Sequence, residues 1–238
     1  MRNTIYPADL RGKADFGWLN ARYSFSFANY FNPNNVHFGL LRVLNDDLVK
    51  GGMGFGTHPH QNMEIISIPL QGAIAHKDSM GNASTINAGE VQVMSAGTGV
   101  EHSEFNPNSS ETLNLLQIWI FPEKENVEPR YDQKNFSELL IPNTLVTVVG
   151  PKENNEENAL WIHQQAYLSL GNFEQGTNFA YTIKGKNSGV YVFLIEGEAS
   201  IDGEKLNKRD AMGISETETF EVSFSENSKI LLIEVPME

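Results

Sequence analysis

The segment Gly-Met-Gly-Phe-Gly-Thr-His-Pro-His, residues 52–60, and the segment Gly-Val-Glu-His-Ser-Glu, residues 99–104, each carry two potential metal ligands two residues apart. A β-strand sends residues i and i+2 to the same face, so each segment, as a strand, presents two ligand groups on one side. Two such strands lying side by side would gather three imidazoles and one carboxylate around one point. That ligand set suits Fe, Mn, Co, Ni, Cu or Zn and does not choose among them. The four residues are His58, His60, His102 and Glu104.

Short β-prone runs separated by turn residues recur along the chain at spacings of about 8–12 residues, a rhythm typical of an all-β sandwich or barrel. The run from His37 to Leu44 predicts a strand that ends at a turn, Asn45-Asp46-Asp47. Pro59 removes one donor from a strand ladder, which favours an edge or bulge position for its strand. The fold class predicted from these patterns is all-β.

The pattern changes after the apolar run that ends at Phe121, and residues 122–145 are interpreted as a bridge between two domains. The strand rhythm resumes at Val146, and residues 190–214 repeat the order of hairpin and turn found in the first half. We therefore predict two domains, 1–134 and 135–238. The second is predicted to bind no metal, because one histidine alone, His163, follows His102.

Composition excludes several classes of function. The formal net charge of −13 argues against a surface for the nucleic-acid backbone, which requires clustered Lys and Arg. The chain has no cysteine, so disulfide and thiolate chemistry are excluded and any metal site must be built from His and carboxylate. No stretch approaches the ~20 apolar residues of a membrane span, and a cytoplasmic location is expected.

Several motifs resemble those of the pirin family of the cupin superfamily. Gly52, His58-Pro59-His60 and Glu64 are similar to the first cupin motif, and Gly89, Ser95-Ala96-Gly97, His102 and Asn106 are similar to the second. The residues in and around these motifs resemble most those of the bacterial pirin-like quercetin 2,3-dioxygenases. The similar stretches include His76-Lys77-Asp78-Ser79-Met80-Gly81-Asn82, Met94-Ser95-Ala96-Gly97-Thr98-Gly99 and His102-Ser103-Glu104.

The resemblance implies a two-domain bicupin, made of two antiparallel barrels or jelly rolls, with a metal site only in the N-terminal barrel. His58, His60 and His102 are the expected imidazole ligands. The carboxylate ligand of many cupins corresponds to Glu64, whereas that of the pirin branch corresponds to Glu104. We favour Glu104, which leaves Glu64 as an alternative ligand or as a partner that orients a ligand imidazole. The cofactor implied is one divalent transition metal, Fe(II) in the first place, with Ni, Mn, Co, Cu or Zn open.

The activity implied by the resemblance is that of a quercetin 2,3-dioxygenase, which opens the central ring of a flavonol with O2. Glu104 is the candidate catalytic base for the flavonol hydroxyl proton. Apolar side chains are expected to line a pocket over the metal, although each is explained equally well as barrel core; they are Phe55, Met63, Phe105 and Ile118, with Met94 and Trp119 beside them. A second pair, His76 and Asp78, is interpreted as a hairpin-end hydrogen-bonding group rather than as a second metal site.

Three other functions stay open at this stage. A non-catalytic metal-binding regulator would act through a protein partner, as some pirins are thought to do. A cupin enzyme for another enolisable metabolite would use the same metal on a different substrate. A purely structural metal would stabilise the fold and nothing else.

Overall fold

The computed structural model describes residues 1–153 and 156–237, and strands dominate it. One short 3-10 helix, Ala8–Leu10, follows the first strand. The first half of the chain forms β1 (Arg2–Tyr6), β2 (Gly12–Asp15), β3 (Leu19–Tyr23), β4 (Leu41–Val49), β5 (Gly54–His60), β6 (Glu64–Gln71), β7 (Ala73–Asp78), β8 (Ala83–Asn87), β9 (Glu90–Ser95), β10 (Val100–Phe105), β11 (Leu113–Ile120) and β12 (Arg130–Asn135).

The second half forms ten further strands: β13 (Thr144–Pro151), β14 (Leu160–Ile162), β15 (Tyr167–Phe173), β16 (Asn178–Thr182), β17 (Ser188–Glu196), β18 (Glu198–Ile201), β19 (Glu204–Asn207), β20 (Ala211–Ser215), β21 (Thr219–Phe224) and β22 (Ser228–Pro236). Among the residues with described structure, no helix is both long and apolar enough to cross a bilayer.

Each half of the chain builds one seven-stranded and one four-stranded sheet, in the same order. The first half gives β12-β9-β6-β11-β4-β3-β2 and β5-β10-β7-β8, and the second gives β1-β20-β17-β22-β15-β13-β14 and β16-β21-β18-β19. The correspondence confirms the predicted all-β fold of two cupin barrels. One strand crosses between the halves. Strand β1, from the first half of the chain, forms the edge of the second barrel's large sheet, the position that β12 has in the first barrel.

The two large sheets pack against each other through one apolar core. Strands β6 and β11 contribute Ile66 and Ile118 to it, and β15 and β22 contribute Leu168 and Ile233. The opposite face of each of these strands lines a barrel interior. Because both faces are covered, β11 and β22 are almost continuously buried, and most of their residues are apolar. The large sheets thus join the two barrels and also wall the two interiors.

Two expectations about local structure were wrong. Asn45-Asp46-Asp47 lies in the middle of β4 instead of forming a turn, because its side chains find polar surroundings on both faces of the sheet. Within the expected bridge 122–145, residues 130–135 form β12 and pair with β9 of the first barrel. Pro59 does lie on an edge strand, since β5 is the outermost strand of its sheet.

Candidate metal centre

The three histidines predicted as ligands meet between β5 and β10. His58 is directly opposite His102 in the antiparallel pairing, and His60 follows two residues along β5 on the same face. Ligand atoms of the three imidazoles all lie within 4.8 Å of one another, and their ring centroids are 4.5 to 4.9 Å apart. The strand spacing noted in the sequence therefore brings the three side chains to one point.

A bulge and a glycine shape the strand pair beneath the histidines. Between His102 and Glu104 the register of β10 against β5 shifts by one residue, and the extra residue lies on β5. Such bulges bend the strand and redirect its side chains. Gly54 lies so close to β10 that a Cβ would overlap the carbonyl oxygen of Glu104. Because Gly54 has no side chain, the edge strand β5 can lie this close beside β10.

The free nitrogens of the imidazoles fit a metal. His58 Nδ1 lies 2.7 Å from the carbonyl oxygen of Gly56, so Nδ1 carries the proton and Nε2 keeps its lone pair. His60 Nε2 and both ring nitrogens of His102 are buried and have no hydrogen-bond partner among the described residues. Buried polar atoms are seldom left unpaired. Three neighbouring imidazoles with unpaired nitrogens are the donor set that a transition metal satisfies.

Burial keeps two of these imidazoles uncharged. It lowers the pKa of His60 to about 3, and repulsion from His102 and His58 acts in the same direction. It also lowers the pKa of His102 to about 3, with further lowering from His58 and His76. Neutral imidazole is the form that binds a metal. Proton competition at these two ligands is therefore weak near neutral pH.

Glu104 lies beside this group but is not a member of it. Its side chain is buried and is held at both oxygens: Ser67 Oγ donates to Oε1 at 3.1 Å, and Gln117 Nε2 donates to Oε2 at 2.7 Å. Each carboxylate oxygen can accept more than one hydrogen bond. The carboxylate is thus oriented by two neighbours and retains free lone pairs.

Glu64 does not have the orienting role expected of it. Along β6 its side chain shares a face with Ile66, which lies in the core between the barrels. The carboxylate accepts a hydrogen bond from Ser95 Oγ at 2.7 Å and another from the backbone amide of His163 in the second barrel. Burial raises its pKa, and nearby Arg130 opposes that shift. Glu64 therefore joins the two barrels and does not contact a ligand imidazole.

A cavity of about 180 Å3 opens beside the histidines. Its wall is mostly aromatic, and polar groups lie on one side. Trp119 packs edge-on against His60, with ring centroids 4.9 Å apart. The lining residues are Leu19, Tyr23, Phe27, Asn45, Asp47, Phe55, His58, His60, Gln117 and Trp119.

Of the four residues in the predicted pocket, Phe55 alone lines this cavity. Ile118 was assigned to the wrong face of β11: it packs in the core between the barrels, and Trp119 faces the cavity instead. Phe105 is 40% exposed, because alternation along β10 turns it away from His102 and Glu104. Met63 packs in a small cluster with the buried Met94, outside the cavity lining.

The polar side of the cavity was missed by sequence reasoning. Asn45 and Asp47 come from β4 and Gln117 from β11, whose residues face one another across the pairing of the two strands. Burial raises the pKa of Asp47 to about 8, and the charges of Asp46 and Glu104 raise it further. The sequence did contain a signal that both side chains face the same side of a strand, since Asn45 and Asp47 are two residues apart on a β-prone stretch.

The second predicted pair, His76 and Asp78, is divided between two roles. Asp78 accepts hydrogen bonds from the backbone amides of Met80 and Asn82 at 2.9 and 3.0 Å, which is the hairpin-end arrangement expected. His76 is buried, stacks on Tyr131 with ring centroids 4.7 Å apart, and lies 5.3 Å from the His102 ring. The pair forms no metal site among the described residues.

Comparison with known proteins agrees with this architecture. The Pirin family matches residues 7–120, and the quercetinase C-terminal cupin domain matches residues 148–235. A quercetin 2,3-dioxygenase from Escherichia coli strain K12 is 39% identical over 232 residues, 98% of each chain. The chain belongs to the pirin family. A pirin-like protein from Caulobacter vibrioides is 37% identical, over 96% of this pirin and 97% of that chain.

A solved structure of another pirin has the same fold. It is that of the bacterial pirin YhhW from Escherichia coli in complex with nickel(II), with a TM-score of 0.93, 37% identity and 99% coverage of both chains. The three-histidine group of the present pirin suits a divalent metal, whose identity the ligand types leave open.

Proposed function

We propose that this pirin is a metal-dependent dioxygenase that opens the central ring of a flavonol with O2. The observation that carries the proposal is the meeting of His58, His60 and His102, with unpaired nitrogens, beside an aromatic cavity. The relative from Escherichia coli named quercetin 2,3-dioxygenase supports this choice of substrate class. A dioxygenase puts both atoms of O2 into the product, so the reaction needs no separate reductant.

The three imidazoles would hold one divalent metal, with Glu104 as the proposed fourth ligand. Fe(II) is the metal we propose first, and the nickel(II) complex of a related pirin makes Ni(II) the next to test. When bound, the metal supplies Lewis acidity that lowers the pKa of a flavonol hydroxyl. We also propose that the reaction takes place in the cytoplasm.

Glu104 is also the proposed acceptor of the hydroxyl proton, a role that requires its bond to the metal to be labile. Its side chain shares the buried face of β10 with His102 and is oriented by Ser67 and Gln117. A carboxylate held by two donors keeps its position while a proton is transferred to one of its free lone pairs. We therefore propose Glu104 as the base that takes the proton from the substrate hydroxyl.

The cavity wall would position the flat substrate. Phe27, Phe55 and Trp119 present aromatic surface of the kind that packs against planar rings. Such a wall also excludes water from the reacting carbon atoms, which strengthens the electrostatic effect of the charged groups nearby. The site therefore combines a metal-binding group, a base and an apolar surface.

The proposal is tested by oxygen uptake with quercetin. Protein stripped of metal is reloaded separately with Fe(II), Mn(II), Ni(II), Co(II) and Cu(II), and uptake is compared with bound metal. Glu104→Gln is expected to lower kcat by about 100-fold, the typical contribution of a general base. Glu221→Gln is the matched control, because β21 is the strand of the second barrel that corresponds to β10, and Glu221 is exposed.

Stoichiometric metal binding without uptake for any metal would overturn the proposal. It would favour a regulator that acts through a protein partner, or an enzyme for another enolisable substrate.

A further inference from the structure

The cavity contains two buried polar side chains that the proposed reaction does not use. Asn45 is 3% exposed and Asp47 is 4% exposed, and the Oδ1 atom of each has no hydrogen-bond partner among the described residues. More than nine in ten buried polar groups in proteins are hydrogen-bonded. Two unpaired acceptors in one small cavity therefore indicate a partner that the chain does not supply.

The strand pairing explains why both side chains face the cavity. Asn45 and Asp47 lie on the same face of β4, as Val49 does, and Val49 packs inside the first barrel. Asp46, between them, faces the other way and forms ion pairs with Arg11 and Arg209. The cavity lining places Asn45 and Asp47 in the same space as His58 and His60.

The size of the cavity limits what can enter. Its volume is about 180 Å3, below the ~300–1,000 Å3 of sites that enclose a whole drug-sized ligand. One ring of a larger molecule fits, and the remainder would extend past the mouth. A ring that enters between the aromatic walls comes next to the side chains of Asn45 and Asp47, which line the cavity.

We propose that Asn45 and Asp47 form a hydroxyl-binding subsite that selects substrates carrying phenolic hydroxyls on a ring remote from the chelating oxygens. The inference rests on the proposed function and names its substrate class more narrowly: a polyhydroxylated flavonol rather than an unsubstituted one. A phenol donates an O–H to an acceptor oxygen, and the side chain of either residue provides one. A substrate without those hydroxyls leaves both buried acceptors unpaired, which is the strongest source of discrimination against an analogue.

The test compares quercetin with 3-hydroxyflavone, which has the same chelating oxygens and none of the other hydroxyls. The variants are Asn45→Leu and Asp47→Leu, which are similar in volume and lack the acceptor. Each is expected to reduce the ratio of kcat/KM for quercetin over 3-hydroxyflavone roughly ten-fold, because quercetin loses more than 3-hydroxyflavone does, with metal content unchanged. Asp47→Asn keeps an acceptor oxygen and is expected to restore most of the ratio.

The matched control is Leu48→Ala, on the same strand but exposed and pointing to the opposite face from Asn45 and Asp47. It should leave the ratio unchanged. Circular dichroism of each variant separates loss of the subsite from loss of the fold, and Asp47→Asn and Asn45→Leu keep the test usable if Asp47→Leu does not fold.

The outcomes are distinguishable from those for the proposed function. If both flavonols are turned over and the ratio does not change in any variant, the subsite is refuted and the two oxygens bind water only. If the wild type turns over neither flavonol, the proposed function fails, and the subsite is tested by calorimetric binding of catechol to metal-free protein. Binding that Asp47→Leu weakens about ten-fold supports the subsite, and binding of equal strength in the two proteins refutes it.

Discussion

At His60 and His102, the burial that removes water from the rings also keeps them uncharged. Their pKa values of about 3 lie below the ordinary histidine value of ~6.5. In the metal-free protein, the unfolded chain therefore takes up protons below pH ~6.5 that the folded chain does not, and acid destabilises the fold. A bound metal does not change this proton uptake by the unfolded chain, but it binds the folded chain alone and so adds its binding free energy to the stability of the fold.

Metal binding should accordingly stabilise the protein measurably. At a free metal concentration 100 times Kd, the gain in the free energy of unfolding is expected to be about 2.7 kcal/mol. Thermal unfolding with and without metal measures it. His60→Ala should abolish the gain, and His37→Gln, away from the site, should keep it; an equal gain in the His60 variant would contradict the ligand assignment.

The raised pKa of Asp47 predicts that the stability of the metal-free protein falls as pH rises, which is opposite to the effect of the two histidines. Its folded pKa of about 8 exceeds the unfolded value of ~3.9, so the folded state retains a proton between these pH values that the unfolded state has lost. Stability from this group is therefore complete below pH ~4 and is lost as pH rises towards 8, by at most about 1.4 kcal/mol per pH unit.

Asp47→Asn removes this slope. The measurement is urea unfolding of both metal-free proteins at several pH values from 5 to 8, with the variant gaining on the wild type as pH rises. A difference that does not change with pH would show that Asp47 is already ionised in the fold.

The pairing of β5 with β10 determines the geometry of the histidines. Because a Cβ at Gly54 would overlap the backbone of Glu104, Gly54→Ala should push the edge strand outward. We expect a loss of about 1–3 kcal/mol in the free energy of unfolding and weaker metal binding. Gly56→Ala on the same strand is the control, since a Cβ there meets no atom within 4 Å.

Calorimetric titration with Ni(II) and urea unfolding measure the two effects. If Gly56→Ala impairs metal binding as much as Gly54→Ala, loss of glycine flexibility and not the close approach of the strands would be the cause.

The sequence predicted best those strands in which all the residues on one face serve the same purpose. The ligand candidates on β5 and β10 alternate with outward residues, so period two was enough to predict that His58, His60 and His102 meet. Asn45-Asp46-Asp47 failed this logic, because turn-forming residues fill a central strand here: Asp47 faces a polar cavity and Asp46 a buried ion pair. For Ile118 the strand was right and the face was wrong, since both faces of β11 are buried and apolarity cannot distinguish them.

Across the whole molecule, Asp46 connects the two barrels. Its Oδ2 lies 3.5 Å from Arg11 Nη2 and 3.2 Å from Arg209 Nη1, and the three side chains are largely buried. Arg209 follows β19 in the second barrel, whereas Asp46 is on β4 of the first. Removal of the carboxylate leaves Arg11 without its counter-charge and leaves Arg209 with Glu196 as its remaining acidic partner.

Asp46→Asn should therefore lower the free energy of unfolding by about 3 kcal/mol, as expected when one partner of a buried ion pair is lost. Lys205→Gln is the control, because its pair with Glu198 is exposed and should contribute no more than about 1 kcal/mol. Urea unfolding measures both, and equal losses would contradict a special role for the buried group.

The placement of β1 has a consequence for the order in which the molecule is made. Residues 2–6 pair with residues 211–215, so at ~5–20 residues per second a ribosome needs roughly 10–40 s to supply the partner strand. During that interval the first barrel can assemble, but β1 must wait unpaired beside it. An unpaired strand is exposed to chaperones and to neighbouring nascent chains. Strand β1 is thus synthesised well before its partner and is among the last of the described strands to reach its final position.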